Sequence, residues 1–204
     1  MKTKFRIIIS CIVVLYLSSC DKRNFFPDPD DPGLSLLTSH GFNIVTAYIN
    51  GVPFINRYSK PLFGGTINSV PVVRMIATAS IYDTLSISWQ FERNDSSRSS
   101  NQFYPAISLL MPVPKSFTKP DFFALNNQRF SSNTNAVVLR SFNNYSDSLS
   151  GTSNIYFVNI KYDHPSNTST YLAFSGLFNG NIGDSILITK GRFDFEIDAA
   201  NLNF

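Results

Sequence analysis

The chain has 204 residues, 43% of them hydrophobic and 15% charged, and a formal net charge of +3. That length and apolar fraction fit a single globular domain with a real core and exclude a disordered, low-complexity chain. Three of the 17 basic residues are Lys2, Lys4 and Arg6, so the chain beyond them carries 14 basic against 14 acidic residues. A nucleic-acid partner has no support in that balance.

Behind those three cations, residues 7–17 (IIISCIVVLYL) form an apolar run without a charge. Eleven residues rise about 17 Å as a helix, well short of a roughly 30 Å hydrocarbon core, which predicts a secretory signal helix and not a permanent span. The run ends in Leu17-Ser18-Ser19-Cys20. This ending resembles the lipobox of bacterial lipoproteins, with an aliphatic residue at −3, small residues at −2 and −1, then cysteine. The resemblance implies that 1–19 is a signal peptide cut away before Cys20. It also implies that Cys20 carries a diacylglyceryl group and an acylated amino terminus. Acyl chains contribute about 0.8 kcal/mol per buried CH₂, so three would make the anchor effectively permanent. The partner expected at this end is a membrane held through lipidated Cys20, with the outer membrane as the location. Cleavage removes 19 of the 204 residues and leaves 185. Cys11 departs with the signal and Cys20 is acylated, so no disulfide is expected and the fold must rest on packing.

Residues 20–40 read as the lipidated cysteine followed by a tether rich in proline and aspartate. Pro27, Pro29 and Pro32 remove amide donors and favour extended backbone. About twenty residues at ~3.1 Å each would lift the domain up to roughly 60 Å from the lipid. Asp28, Asp30 and Asp31 fail the spacing of a calcium loop because proline separates them, so a solvated spacer is expected. Acidic residues close behind the cysteine resemble the surface-export signals of Bacteroidota lipoproteins. Here Lys22 and Arg23 hold the nearest positions, which leaves the periplasmic and cell-surface faces both open.

From 41 to 204 the pattern predicts one β domain. Residues 42–49 and 52–56 flank Asn50-Gly51, the pair whose positive φ angles suit a two-residue hairpin turn. Pro53 places the second strand at an edge. Residues 72–80 are rich in β-branched side chains. LSISWQF at 85–91 alternates strictly, with Leu85, Ile87, Trp89 and Phe91 on the core face and Ser86, Ser88 and Gln90 toward solvent. A polar loop over 92–102 follows, then an apolar run over 104–111 closed by Pro112 and Pro114. Residues 121–127 suit one short helical turn. Runs at 136–142, 154–162, 170–179, 185–189 and 192–197 complete the set, with the intervening polar stretches and Lys190-Gly191 read as turns. The expected fold is all-β: an antiparallel β-sandwich or partly open barrel of about 9–10 strands.

AYINGVPF at 47–54, together with YLAFSGLFNGNIGDSILITKGRFDFEI at 171–197, resembles the small lipid-anchored β domains of unknown function in Bacteroidota. The resemblance implies a calycin- or lipocalin-like barrel or sandwich, a fold that hosts binding more often than catalysis.

Groups suited to catalysis are scarce. His40 and His164 are the only histidines, fewer than a catalytic zinc site ordinarily takes, and no nucleophile-elbow, P-loop or dinucleotide motif occurs. No metal or cofactor is expected. Asp194, Glu196 and Asp198 alternate with Phe193, Phe195 and Ile197 and so share one strand face, spaced about 6.8 Å apart. That spacing cannot chelate one ion and is read as a solvated outer face; a carboxylate-based hydrolase is the enzymatic alternative. Phe103, Tyr104, Phe117, Phe122, Phe123 and Phe130 are the candidate rings for a ligand surface, with core packing as their plain alternative. Thr84, Ser148 and Ser185 follow aspartates in triplets that resemble the O-glycosylation acceptor of exported Bacteroidota proteins. The expected function is a lipid-anchored, non-enzymatic binding module for a glycan, lipid or envelope protein, or an accessory subunit of an outer-membrane complex. Oligomeric state stays open.

Overall fold

The computed structural model describes residues 26–57, 71–90, 92–93, 106–131, 138–142, 148–163, 171–183, 185–199 and 202. The signal segment, Cys20, Phe91, Phe103, Tyr104 and His164 lie outside the described residues. Among the described residues the strands are β1 (Ile44–Ile49), β2 (Val52–Arg57), β3 (Val72–Ile76), β4 (Tyr82–Gln90), β5 (Glu92–Arg93) and β6 (Ala106–Pro114). They continue as β7 (Arg129–Ser131), β8 (Val138–Phe142), β9 (Ser148–Asp163), β10 (Tyr171–Ile182) and β11 (Ile186–Asp198), with helix α1 (Lys119–Ala124) between β6 and β7.

Their order in space is β3-β4-β6-β8-β9-β10-β11-β1-β2-β5, with β7 added on β9. These form two antiparallel sheets without a closed barrel, an all-β sandwich. Strand β9 belongs to both sheets: residues 148–150 pair with β8 and residues 151–163 with β10. Gly151 stands at the crossing. A Cβ there would overlap the backbone carbonyl of Asn181, so only glycine allows the strands to approach this closely.

Local chemistry accounts for most element boundaries. Asn50 and Gly51 have φ of 50° and 78°, and they join β1 to β2 as the dipeptide predicts. Thr118 opens α1: its backbone amide and hydroxyl both donate to the Asp121 carboxylate, at 2.8 and 2.7 Å. Pro112 and Pro114 do not close the apolar run as expected; β6 continues through both, paired with Thr84 and Tyr82 of β4. The reason is on the other side, where β8 pairs only with Ala106–Leu110 and asks no amide of either proline. Lys190-Gly191 is likewise no turn. It is a bulge inside one continuous β11, where Lys190 takes φ of 50° and the pairing to β1 slips between Thr46 and Tyr48.

The core lies between the sheets. Leu85, Ile87 and Trp89 of β4 face it as predicted, against Phe157, Phe174, Phe178, Phe193 and Phe195 of the opposite sheet. Trp89 meets Phe178 edge-on at 5.2 Å, and Phe174 sits 5.4 Å from both Phe122 and Phe195. The expected solvent face of β4 is closed in part: Ser86 is 1% exposed, its hydroxyl joined to Ser88 at 3.2 Å and Ser88 to Ser108 at 2.8 Å. Short serines on central strands sit below their longer neighbours, which the alternation alone does not convey.

The largest departure concerns the expected tether. Residues 26–41 are folded onto the outer face of the sheet, across β11, β1 and β2. Pro27 and Ser35 form an antiparallel bridge, with the Asp28 amide donating to Leu34 at 2.9 Å and the Leu36 amide to Phe26 at 2.6 Å. Leu34 is fully buried and Ser35 nearly so, the Ser35 amide donating to the Thr46 hydroxyl at 3.3 Å, and Ile44 and Ile55 are buried as well. Gly33 lies against Pro53 where a Cβ would be crowded at 2.8 Å, and the Tyr48 hydroxyl donates to the Pro32 carbonyl at 2.9 Å. The folded unit therefore begins well before Gly41, and residues 26–40 are one of its layers and no spacer.

Candidate functional site

Register brings one row of side chains together on the outer face. Arg129 pairs with Tyr156, Tyr156 with Leu177, Leu177 with Arg192, and Arg192 with Thr46. Paired residues point to the same side of a sheet, so these five form a continuous stripe. The next row adds Ser131, Asn154 and Asn179. Between β7 and the N-terminal ribbon this surface is a groove of about 760 Å³, with Asp31, Lys190 and Arg192 at one end and Arg129, Phe130 and Ser131 at the other. A shallower recess of about 400 Å³ continues it past Asn181 and Thr152.

The lining mixes amides, rings, aliphatic side chains and cations. Asn154 donates to the Asn179 carbonyl oxygen at 3.1 Å, which leaves each amide further hydrogen-bonding capacity. The Arg129 guanidinium lies 5.1 Å above the Tyr156 ring, a cation–π contact, and the Tyr156 hydroxyl reaches Asn127 at 3.4 Å. Leu177 is 38% exposed on the floor.

The opposite wall is electrostatic. Arg192 donates one nitrogen to Asp28 and the Ser35 carbonyl, the latter at 2.8 Å, and its other nitrogen to Asp31; Lys190 also pairs with Asp31. Arg192 and Asp31 side chains are 14% and 9% exposed, so this pairing is largely desolvated. The β11 bulge is what aims Lys190 at Asp31. Two residues along the same face, Asp194 is 1% exposed and receives the Thr38 hydroxyl, the His40 amide at 3.1 Å and the Gly41 amide at 2.8 Å. Asp194 is thus no solvated outer-face residue. It clamps the end of the ribbon, while Glu196 packs beside Gly41 and its amide donates to Asn43 at 2.9 Å.

The Asp30 amide, donating at 2.8 Å, and then the Arg192 guanidinium hold the Asp28 carboxyl below its ordinary pKa of 3.8. The Asp31 carboxylate raises Lys190 above its ordinary 10.5. A depressed acid stabilises the folded state above its unfolded pKa, and that contribution is lost as pH falls through the folded value. A raised base contributes below its unfolded pKa and loses that contribution as pH rises through the folded one. The ribbon's docking is accordingly expected to be level between these limits and to weaken below 3.8 and above 10.5. Proteolysis within 26–41, sampled across pH with a broad-range protease, checks this.

The rings singled out from sequence separate in space. Phe117 and Phe122 are 8% and 0% exposed and belong to the core, because the buried side of α1 is pressed onto β9 and β10. Phe123 is half-buried, its ring 4.4 Å from that of Tyr162. Among the described candidate rings Phe130 alone borders the groove, resting on Phe157 at 6.1 Å. Tyr156, Asn154, Asn179, Arg129 and Arg192 were not singled out; their convergence depends on a register that composition does not encode. His40 is exposed with its ring 5.4 Å from Phe42. Thr84 is half-buried within β4, Ser185 is exposed at the β10–β11 turn, and Ser148 begins β9.

Among the described residues no three of His, Cys, Asp and Glu come together as a metal site, and no helix is long and apolar enough to cross a membrane. Compared with known proteins, the chain matches no family model, no curated sequence and no solved structure.

Proposed function

We propose that this chain is a lipid-anchored envelope protein of the outer membrane whose β domain binds a hydroxyl-rich ligand of saccharide chemistry, without catalysis. The single observation that carries the reading is the groove between β7 and the ribbon. Its paired amides Asn154 and Asn179, the Tyr156 hydroxyl and Arg129 offer mixed donors and acceptors beside the half-exposed Leu177. That combination suits hydroxyl groups on an aliphatic ring better than a lipid chain. The two buried carboxylates among the described residues, Asp31 and Asp194, are engaged in holding the ribbon, which speaks against a carboxylate-based hydrolase. The anchor rests on the resemblance of Leu17-Ser18-Ser19-Cys20 to a lipobox, and the Bacteroidota affinity on that of residues 47–54 and 171–197 to small lipid-anchored β domains.

Electrophoresis through gels containing dextran, xylan or polygalacturonate tests the ligand class. Retardation by at least one polysaccharide is expected. Tyr156→Ala or Asn154→Ala should weaken it by about tenfold, the effect of losing roughly 1.4 kcal/mol of hydrogen bonding and contact. Unchanged migration in all three gels, or retardation indifferent to both substitutions, contradicts the reading. Cys20→Ala should abolish membrane fractionation, and continued retention would refute the anchor.

One observation favours the accessory-subunit reading. Strand β3 pairs only with β4 among the described residues, and Val72 on it is 50% exposed, with Ile81 and Tyr82 at the far end of the β3–β4 hairpin 78% and 50% exposed. Val72→Lys would then abolish co-purification with envelope partners while leaving polysaccharide retardation intact.

A further inference from the structure

We infer that the open end of the N-terminal ribbon, Phe26 with Leu36, rests in the interface of the bilayer that holds Cys20, so that the domain stands against the membrane and not on a stalk. This inference rests on the lipidation of Cys20 proposed above. Phe26 and Leu36 are joined by the Leu36 amide at 2.6 Å, and both are 43% exposed although Leu34 and Ser35 beside them are buried. The Phe26 ring leans on Phe42 at 5.5 Å, which fixes its position at the domain surface.

Chain length places this pair. Six steps of chain lead from Cys20 to Phe26, and at no more than ~3.6 Å each they span about 22 Å. The expected tether of roughly 60 Å shrinks by that measure to about the depth of one leaflet with its headgroups. Two apolar side chains so close to the acyl chains gain by entering the interface, where Phe and Leu of peripheral proteins settle ~5–10 Å deep. Charge agrees: Lys22 and Arg23 fall between anchor and ribbon, opposed by Asp21 alone, and suit anionic headgroups. The other exposed apolar side chains, Ile81 and Leu187 among them, have no such tie to the anchor. Asp31 lies five residues from Phe26, so the seated ribbon would hold the groove within about 18 Å of the interface.

Site-directed spin labelling of the full lipidated chain tests this. Cys11 leaves with the signal and the Cys20 sulfur is acylated, so Leu36→Cys offers one labelling site; Leu187→Cys, at a position 51% exposed, is the reference. Each protein is reconstituted in vesicles of phosphatidylethanolamine and phosphatidylglycerol. Collision rates with oxygen and with a water-soluble nickel chelate are then measured. At position 36 the oxygen-to-chelate ratio should exceed that at 187 several-fold. A ratio at 36 equal to that at 187 overturns the inference, and so does shielding from both quenchers, which marks a protein contact such as a second copy. The intact mass of the same sample separates the causes. An unacylated chain refutes the anchor and the inference with it, whereas an acylated chain with a water-exposed label refutes the inference alone.

Discussion

Arg192→Met is expected to lower the unfolding free energy of the ribbon-docked state by about 3–5 kcal/mol, measured by urea denaturation with ribbon proteolysis as a second readout. Methionine preserves the length of the apolar stem, so the loss isolates the guanidinium. Arg192 binds Asp28, Asp31 and the Ser35 carbonyl at once. Without it the two carboxylates face each other with Lys190, 58% exposed, as their remaining cation among the described residues. Leaving a desolvated charge without its partner costs more than the pair contributes when intact. Arg192→Lys should recover only part of the loss, because an ammonium cannot reproduce a fork that spans two carboxylates. A change below about 1 kcal/mol would mean that the cluster behaves as an ordinary surface ion pair.

Asp194→Ala is expected to cost a similar amount, about 3–5 kcal/mol, by a different route. The carboxylate is 1% exposed and satisfies a hydroxyl and two backbone amides, those of Thr38, His40 and Gly41. Removing it strands the buried Gly41 amide and two part-buried donors, the Thr38 hydroxyl and the His40 amide, and a donor left unmet away from water carries a desolvation penalty. Asp194→Asn should fall between, since one amide oxygen still accepts from Gly41 while the new NH₂ opposes donors on the other side. The two substitutions should not be additive. Both release the same segment, so once Arg192→Met has undocked it, Asp194→Ala finds fewer contacts left to lose. Additive losses would mean that the ribbon is held as two independent pieces.

Local signals in the sequence conveyed some of this fold and hid the rest. The β1–β2 hairpin and the core face of β4 were readable because Asn50-Gly51 and the Leu85-Ile87-Trp89 alternation are local signals. The all-β class came from the same periodicities. The ribbon was not readable. Its prolines and aspartates have the composition of a linker, and the charged residues that dock it lie on β11, more than 150 positions away. One clue was present: Lys190 and Arg192 place two cations beside a strand whose other face is Phe193 and Phe195, opposite in sign to the Pro/Asp stretch. The groove was less accessible still, because Arg129, Tyr156, Leu177 and Arg192 form a row only once four strands are in register. Phe117 and Phe122 fall to the core alternative that the sequence left open, since an aromatic in an unpatterned stretch looks the same whether a loop displays it or a short helix buries it.

The most direct test of the folded ribbon is amide hydrogen exchange over residues 26–41, because the groove has its second wall only if that segment is folded onto β11. The Gly41 and His40 amides, donated to a buried carboxylate, and the Leu34 and Leu36 amides, bonded within the ribbon, should exchange at least about a hundredfold more slowly than in an unstructured chain. In the Asp194→Ala protein that protection should be lost while the amides of β10 keep theirs. Exchange of those four amides at the unstructured rate in the unaltered protein would contradict a docked ribbon and restore the solvated tether.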